Sequence, residues 1–213
     1  RRMAFERLGV LSHDVRSPLT SVLALVDSLR DGEQGNERNK ALERGLDLIE
    51  QYAERSLHIG DQLMQLLRVE TLPQVECVEL DCLTLLENVC EQKDRMAKEA
   101  GVTLQLPVPD NAVPWVNGQA DLLERALANL IDNAIKYSHR GGTVELSLVV
   151  QDGQAHCAVR DHGMGIAESD LAELFCHYGR LRHAPLDKAG AGLGLHLVKT
   201  VAVRHGGRIA AES

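Results

Sequence analysis

Apolar side chains fall at Leu8, Leu11, Val15, Leu19, Val22, Val26 and Leu29, in steps of three and four. Such steps keep all seven on one stripe of an α-helix and exclude a strand, whose side chains alternate between two faces. A turn-rich stretch, Asp31 to Asn36, follows, and a second stripe runs through Leu42, Leu46, Ile49, Ala53, Leu57, Gly60, Met64 and Leu67. The spacing therefore predicts two long helices joined by a short loop. A lone hairpin cannot cover both of its stripes, and pairing with a second copy as a four-helix bundle would do so. A homodimer through residues 5–70 is expected on this ground, with docking of the hairpin onto the rest of the chain as the alternative.

The pattern changes after Thr71, Leu72 and Pro73. A short strand near Cys77 to Leu80, a helix from about Asp81 to Ala100 and a second strand, VTLQL, come next. Beyond a short strand near Trp115, a helix spans about Gln119 to Ser138. Two strands, Thr143 to Val150 and Ala155 to Arg160, flank the turn Asp152-Gly153. A glycine-punctuated loop covers Asp161 to Gly192, a helix runs from about Leu193 to His205, and GRIAAES at 207–213 is strand-like. The expected class is α+β, with a dimerising helical domain at 1–72 and an α/β sandwich at 73–213.

The net charge of −8, without a Lys/Arg-rich run, argues against nucleic acid and anionic membrane as partners. Cys77, Cys82, Cys90, Cys157 and Cys176 are scattered, without a CxxC pair, and suit free thiols in a reducing compartment. Cys176 with His177 and His183 lacks an obvious fourth ligand for a metal cluster. With no apolar run long enough to span a bilayer and no signal-peptide pattern, this stretch is expected to be cytoplasmic and free of direct membrane contact. A sensor or membrane anchor of the parent protein would lie before Arg1, and the chain is expected to continue past Ser213.

Four blocks carry chemistry. In SHDVRSPL, His13 lies about 200° around the first helix from Leu11, so it faces solvent. An exposed imidazole is a competent nucleophile, and Asp14 can hold one ring nitrogen while the other attacks phosphorus; a plain surface histidine is the alternative. In NLIDNAIKYS, Asn129, Asn133 and Lys136 share one helix face. An asparagine carbonyl suits Mg²⁺ and a lysine offsets phosphate charge, although a merely solvated face would read the same way. DHGMGI, Asp161 to Ile166, follows a strand and joins an acid to Gly163 and Gly165, which permit close backbone approach; a tight turn is the alternative. GAGLGL, Gly190 to Leu195, opens directly into a helix whose free N–H groups suit anionic phosphates. It is neither a P-loop, lacking GK[ST], nor a Rossmann turn.

Together these blocks resemble, in order, the H, N, G1 and G2 boxes of two-component sensor histidine kinases, over essentially Leu11 to Gly207. The resemblance implies a helical dimerisation and phosphoacceptor domain followed by an ATP-binding domain of the histidine-kinase/Hsp90-like type. It implies phosphorylation of His13 from ATP, with Asp14 as its hydrogen-bond partner or base, and onward transfer to an aspartate of a response-regulator receiver domain. His13, Asp14 and Pro18 match the H box. The residue four after the histidine, which orients a water in dephosphorylation of the partner, is Ser17, where Thr or Asn is commoner. Asn133 falls at the Mg²⁺ position, with Asn129, Lys136 and Tyr137 at nucleotide-contacting ones. Asp161 matches the residue that accepts from the adenine amino group, with Gly163, Gly165 and Ile166 shaping the pocket. Gly190, Gly192, Leu193 and Gly194 fall in the phosphate-binding glycine block. Phe175 sits at the F-box position and Arg180 at that of a lid arginine brought near the phosphates, in a lid over 176–189. His162 departs from the usual Asn or Thr. The fold itself also occurs in chaperone, topoisomerase and mismatch-repair ATPases, and an inactive scaffold is a further alternative.

Overall fold

A computed structural model describes residues 18–26, 36–71, 77–106, 114–171, 174–175 and 193–213. The chain divides into two compact units, Arg1–Leu67 and Arg68–Ser213.

The described part of the first unit is helical: α1 over 18–26 and α2, Asn36–Thr71, which continues through the unit boundary. Along α2, Ser56, Ile59 and Leu66 are buried, whereas Leu42, Leu46, Leu57, Met64 and Leu67 are exposed, Leu57 by 71%. The exposed set belongs to the apolar stripe of the sequence. Ser56 Oγ donates to the Tyr52 carbonyl, satisfying its hydroxyl within the helix. Gly60 sits inside α2 with nothing within 4 Å of the place its Cβ would take, so no close packing demands a glycine.

The second unit builds two small sheets. Strand β1, Val78–Asp81, pairs antiparallel with β3, Trp115–Gly118, with Val78 opposite Gly118. The other sheet has the order β2-β4-β5. Here β2, Thr103–Gln105, runs parallel to β4, Thr143–Gln151, and β4 runs antiparallel to β5, Gln154–Arg160. The β4–β5 hairpin closes as its sequence demands: Asp152 and Gly153 take φ of 52° and 73°, the paired left-handed values of a type I′ turn.

Helices α3, Cys82–Ala100, and α4, Ala120–Tyr137, cover one face of this sheet. The core holds Leu86, Val89 and Ala97 from α3, Ile131, Ala134 and Ile135 from α4, and Val144, Leu146 and Leu148 from alternate positions of β4. Period-3.6 and period-2 stripes thus meet as binary patterning requires. Asp81 caps α3, its Oδ1 accepting from the Leu83 and Thr84 amides at 2.8 and 3.2 Å, and Gly101 closes it with φ 70°. Between the two helices the Lys93 ammonium lies 2.7 and 2.8 Å from the two Asp132 oxygens. Helix α6, Gly194–Arg204, packs on α4 and buries Leu197, Val198 and Val201.

Two features depart from expectation. A short helix, α5, Glu168–Leu171, stands inside what reads as loop. The strand-like tail at 207–213 forms no ladder. A strand exists only where a neighbour takes its hydrogen bonds; the tail's last residue instead accepts, through Ser213 Oγ, the Ile166 amide at 2.7 Å.

Candidate functional site

Helix α4 is anchored by Leu122, Ala126, Ile131, Ala134 and Ile135, which are buried. Asn129, Asn133, Lys136 and Tyr137 are left half-buried. Asn129 turns its Nδ2 back to the Arg125 carbonyl at 2.9 Å, which aims its oxygen away from the helix backbone. Asn133 makes no side-chain hydrogen bond to a described residue. The Lys136 ammonium stands 5.5 Å from the centre of the Tyr137 ring, within cation–π range. Burial raises the Tyr137 phenol above its ordinary value, so the hydroxyl keeps its proton and can donate.

The loop after β5 closes on the end of this helix. Asp161 Oδ1 accepts the Gly163 amide at 2.9 Å, an Asx turn that leaves the other carboxylate oxygen without a described hydrogen-bond partner. Gly163 lies so close to the last turn of α4 that a Cβ would overlap the Tyr137 carbonyl oxygen and stand 2.7 Å from its carbon. The glycine is required by the seating of the loop on α4, a reason the motif does not disclose. Gly165 takes φ 70°, the left-handed value that favours glycine, and Ile166 is held by Ser213. His162 Nε2 reaches Glu145 Oε1 of β4 at 3.2 Å, an exposed pair of small energetic weight.

Helix α6 begins at Gly194, its N-cap Leu193 makes no side-chain capping bond, and N–H groups at a helix start suit an anion. Leu193 is 1% exposed; its side chain belongs to the core, and only its backbone can serve a ligand. The second unit places Asn129, Asn133, Lys136 and Tyr137 on α4 and Asp161, Gly163, Gly165 and Ile166 on the loop after β5, and the two pieces meet where Gly163 approaches the Tyr137 carbonyl. His13, Asp14, Ser17, Arg180, Gly190, Gly192 and the lid at 176–189 lie outside the described residues, as does the Cys176–His177–His183 group. Reading by motif missed the lock of Ser213 on the loop and the contact of His205 with the start of α4; neither residue lies in a recognisable box.

Cys82, Cys90 and Cys157 are free thiols. Burial raises the thiols of Cys82 and Cys90, which keeps them protonated and unsuited to nucleophilic work. Among the described residues no group of three or more acidic, cysteine or histidine side chains could hold a metal, and no helix is long and apolar enough to cross a membrane.

Residues 118–213 match the family described as histidine kinase-, DNA gyrase B-, and HSP90-like ATPase. The adaptive-response sensory kinase SasA of Synechococcus sp. (strain JA-2-3B'a(2-13)) is 32% identical over 97% of this chain and 55% of its own length. The chain therefore spans about half the length of that curated relative. Two solved structures add the fold. The mycobacterial sensor histidine kinase MprB is 30% identical, covers 62% of this chain and 81% of its own, and superposes with a TM-score of 0.53. Acinetobacter baumannii histidine kinase AdeS is 25% identical, covers 90% of this chain and 86% of its own, and gives 0.64. Ordered motif blocks, an α+β domain with the Asp161 loop seated on the asparagine-bearing helix, and these matches agree: the chain belongs to the sensor histidine kinase family.

Proposed function

We propose that this chain is an autokinase core: it binds ATP in the second unit, phosphorylates its own His13 and passes the phosphoryl group to an aspartate of a response-regulator receiver domain. The observation that carries the reading is the seating of Gly163 on the Tyr137 carbonyl, which joins the Asp161 loop to the helix bearing Asn129, Asn133 and Lys136.

The residues fit a nucleotide. Asp161 keeps a carboxylate oxygen for the amino group of adenine, and Gly163 and Gly165 let the backbone come close beneath the base. Asn129 and Asn133 present carboxamides and Lys136 a cation on the neighbouring face. Asn133 would hold Mg²⁺, which when bound neutralises charge on the phosphate oxygens. Lys136, and Arg180 from the lid, would add positive charge, and the N–H groups at the start of α6, with Gly190 and Gly192 before it, would bind the phosphate chain. A loose phosphoryl transition state needs little covalent help, so positioning is the main task of the domain. His13 attacks the γ-phosphorus in line as ADP leaves, with Asp14 holding or receiving the ring proton. Ser17 stands where a water would be oriented for dephosphorylation of the partner.

The domain division at 1–72 and 73–213 is part of this proposal, with flexing of the linker near Thr71 to Pro73 letting the ATP site reach His13 and withdraw. So is the homodimer through residues 5–70. Its support is the exposed stripe of α2, five large apolar side chains that a facing helix would cover.

Label transfer from γ-labelled ATP with Mg²⁺ tests the reading on wild type, His13→Gln and Asn133→Ala. Acid-labile, alkali-stable label lost in both variants is expected. Nucleotide binding without any label in wild type would overturn autokinase activity; release of free phosphate alone would make the chain an ATPase.

A further inference from the structure

The first four N–H groups of a helix have no intrahelical partner, and a capping side chain near the start normally takes some of them. Helix α4 lacks this: its N-cap, Gln119, makes no side-chain capping bond, and the third helical position is Leu122, which cannot return one. The Gln119 amide instead donates to Nε2 of His205, at 3.0 Å and 86 residues away in sequence. A backbone N–H can only donate, so Nε2 carries no proton and the ring is the Nδ1-H tautomer. Nδ1 completes the pattern by donating to the Val201 carbonyl at 2.8 Å.

The ring is aimed by its own backbone. His205 is the C-cap of α6, and the two glycines after it close the helix: Gly206 N donates to Val203 O at 3.1 Å and Gly207 N to Ala202 O at 2.8 Å, the paired bonds of a Schellman motif with Gly206 at φ 71°. On the receiving side Gly118 makes room. A Cβ there would stand 2.8 Å from Leu123 Cδ1 and 3.1 to 3.3 Å from the His205 ring.

We infer that His205 is a positioning residue: from the end of α6 it caps α4 and fixes the start of the helix that carries Asn129, Asn133 and Lys136. Its effect on nucleotide rests on the proposed function; the cap itself does not. One hydrogen bond of ordinary net worth corresponds to about a 3- to 10-fold change in an equilibrium.

The test has three readouts on the whole chain. Imidazole ¹⁵N shifts of wild type should show a proton on Nδ1 and none on Nε2. In His205→Phe, which keeps a ring and loses the acceptor, exchange of the Gln119 amide should accelerate and ADP, titrated calorimetrically, should bind about 3- to 10-fold more weakly. His205→Gln, which keeps an acceptor, should recover part of both, and Gly118→Ala should reproduce the loss by displacing a ring that is itself unchanged. A proton on Nε2, or unchanged Gln119 exchange in His205→Phe, would overturn the cap. Wild-type ADP affinity in His205→Phe with only a lower melting temperature would overturn the positioning role. A wild type that binds no ADP would sink the nucleotide reading, and with it the positioning role, while the tautomer and the amide exchange still decide the cap.

Discussion

Gly163→Ala is the substitution whose outcome follows most directly from the coordinates. The added methyl would overlap the Tyr137 carbonyl oxygen and stand 2.7 Å from its carbon and 2.8 Å from Asp161 Oδ1. None of these neighbours is the free end of a flexible chain: two are backbone, and Asp161 is tied to the Gly163 amide itself. Ordinary contact begins at 3.4 Å, so the loop has to retreat from α4 by roughly 1 Å, a displacement that can cost on the order of 100-fold where groups must be aligned. Overpacking of this kind also costs about 1–3 kcal/mol of stability. ADP titration and urea unfolding separate the two effects when Gly153→Ala is run beside it. Gly153 has φ 73° with nothing within 4 Å, so alanine there brings backbone strain and no clash. The expected result is weaker unfolding resistance in both variants and lost ADP affinity in Gly163→Ala alone. ADP binding by Gly163→Ala within twofold of wild type would refute the claim that the loop is seated by contact with α4.

Other outcomes are as specific. Asp161→Asn keeps an oxygen for the Gly163 amide, so the melting temperature should hold while ADP affinity drops and preference over GDP narrows; an unchanged preference would remove Asp161 from base recognition. Lys93→Met leaves Asp132 without its cation at side-chain exposures of 22% and 33%, and urea unfolding should register about 1–3 kcal/mol, whereas Arg95→Met, 90% exposed, should show no change. Cys157 is exposed in area, yet the protein around it, and secondarily Cys82 and Cys90, push its thiol up to about 12. Being almost wholly protonated at pH 8, it should be alkylated much more slowly than exposed Cys77, and equal rates would contradict this. Leu57→Glu with Met64→Glu places charges on the exposed stripe of α2 and should yield a monomer by sedimentation; an unchanged dimer would move the interface elsewhere.

Most of the second unit was readable because its stripes are long. Helix α4 shows five buried positions over its eighteen residues, and the Asp152-Gly153 turn announces its hairpin by the left-handed conformation those residues tolerate. Helix α5 escapes notice because Glu168–Leu171 is one turn, too short to show a period. The tail at 207–213 misleads for the opposite reason: its pattern suits a strand, but pairing depends on a neighbour that no local pattern records. The site divides likewise. Asp161, Gly163, Asn129 and Asn133 advertise themselves as motif residues, while the reason for Gly163, the Tyr137 carbonyl, lies on another element. The His205 and Ser213 contacts span 86 and 47 residues and involve backbone amides, which every position carries and which therefore leave no trace in composition.

Gly60 bears on the stability of α2. At a rise of about 1.5 Å per residue a helix of this length is a rod of roughly 54 Å, and a glycine within it costs on the order of 1 kcal/mol relative to alanine. No neighbour collects on that loss, since the space where a side chain would stand is open. Gly45 is the other glycine of the rod, so two positions lower its helix propensity. Replacing Gly60 with alanine should therefore raise the stability of the helix without meeting a neighbour.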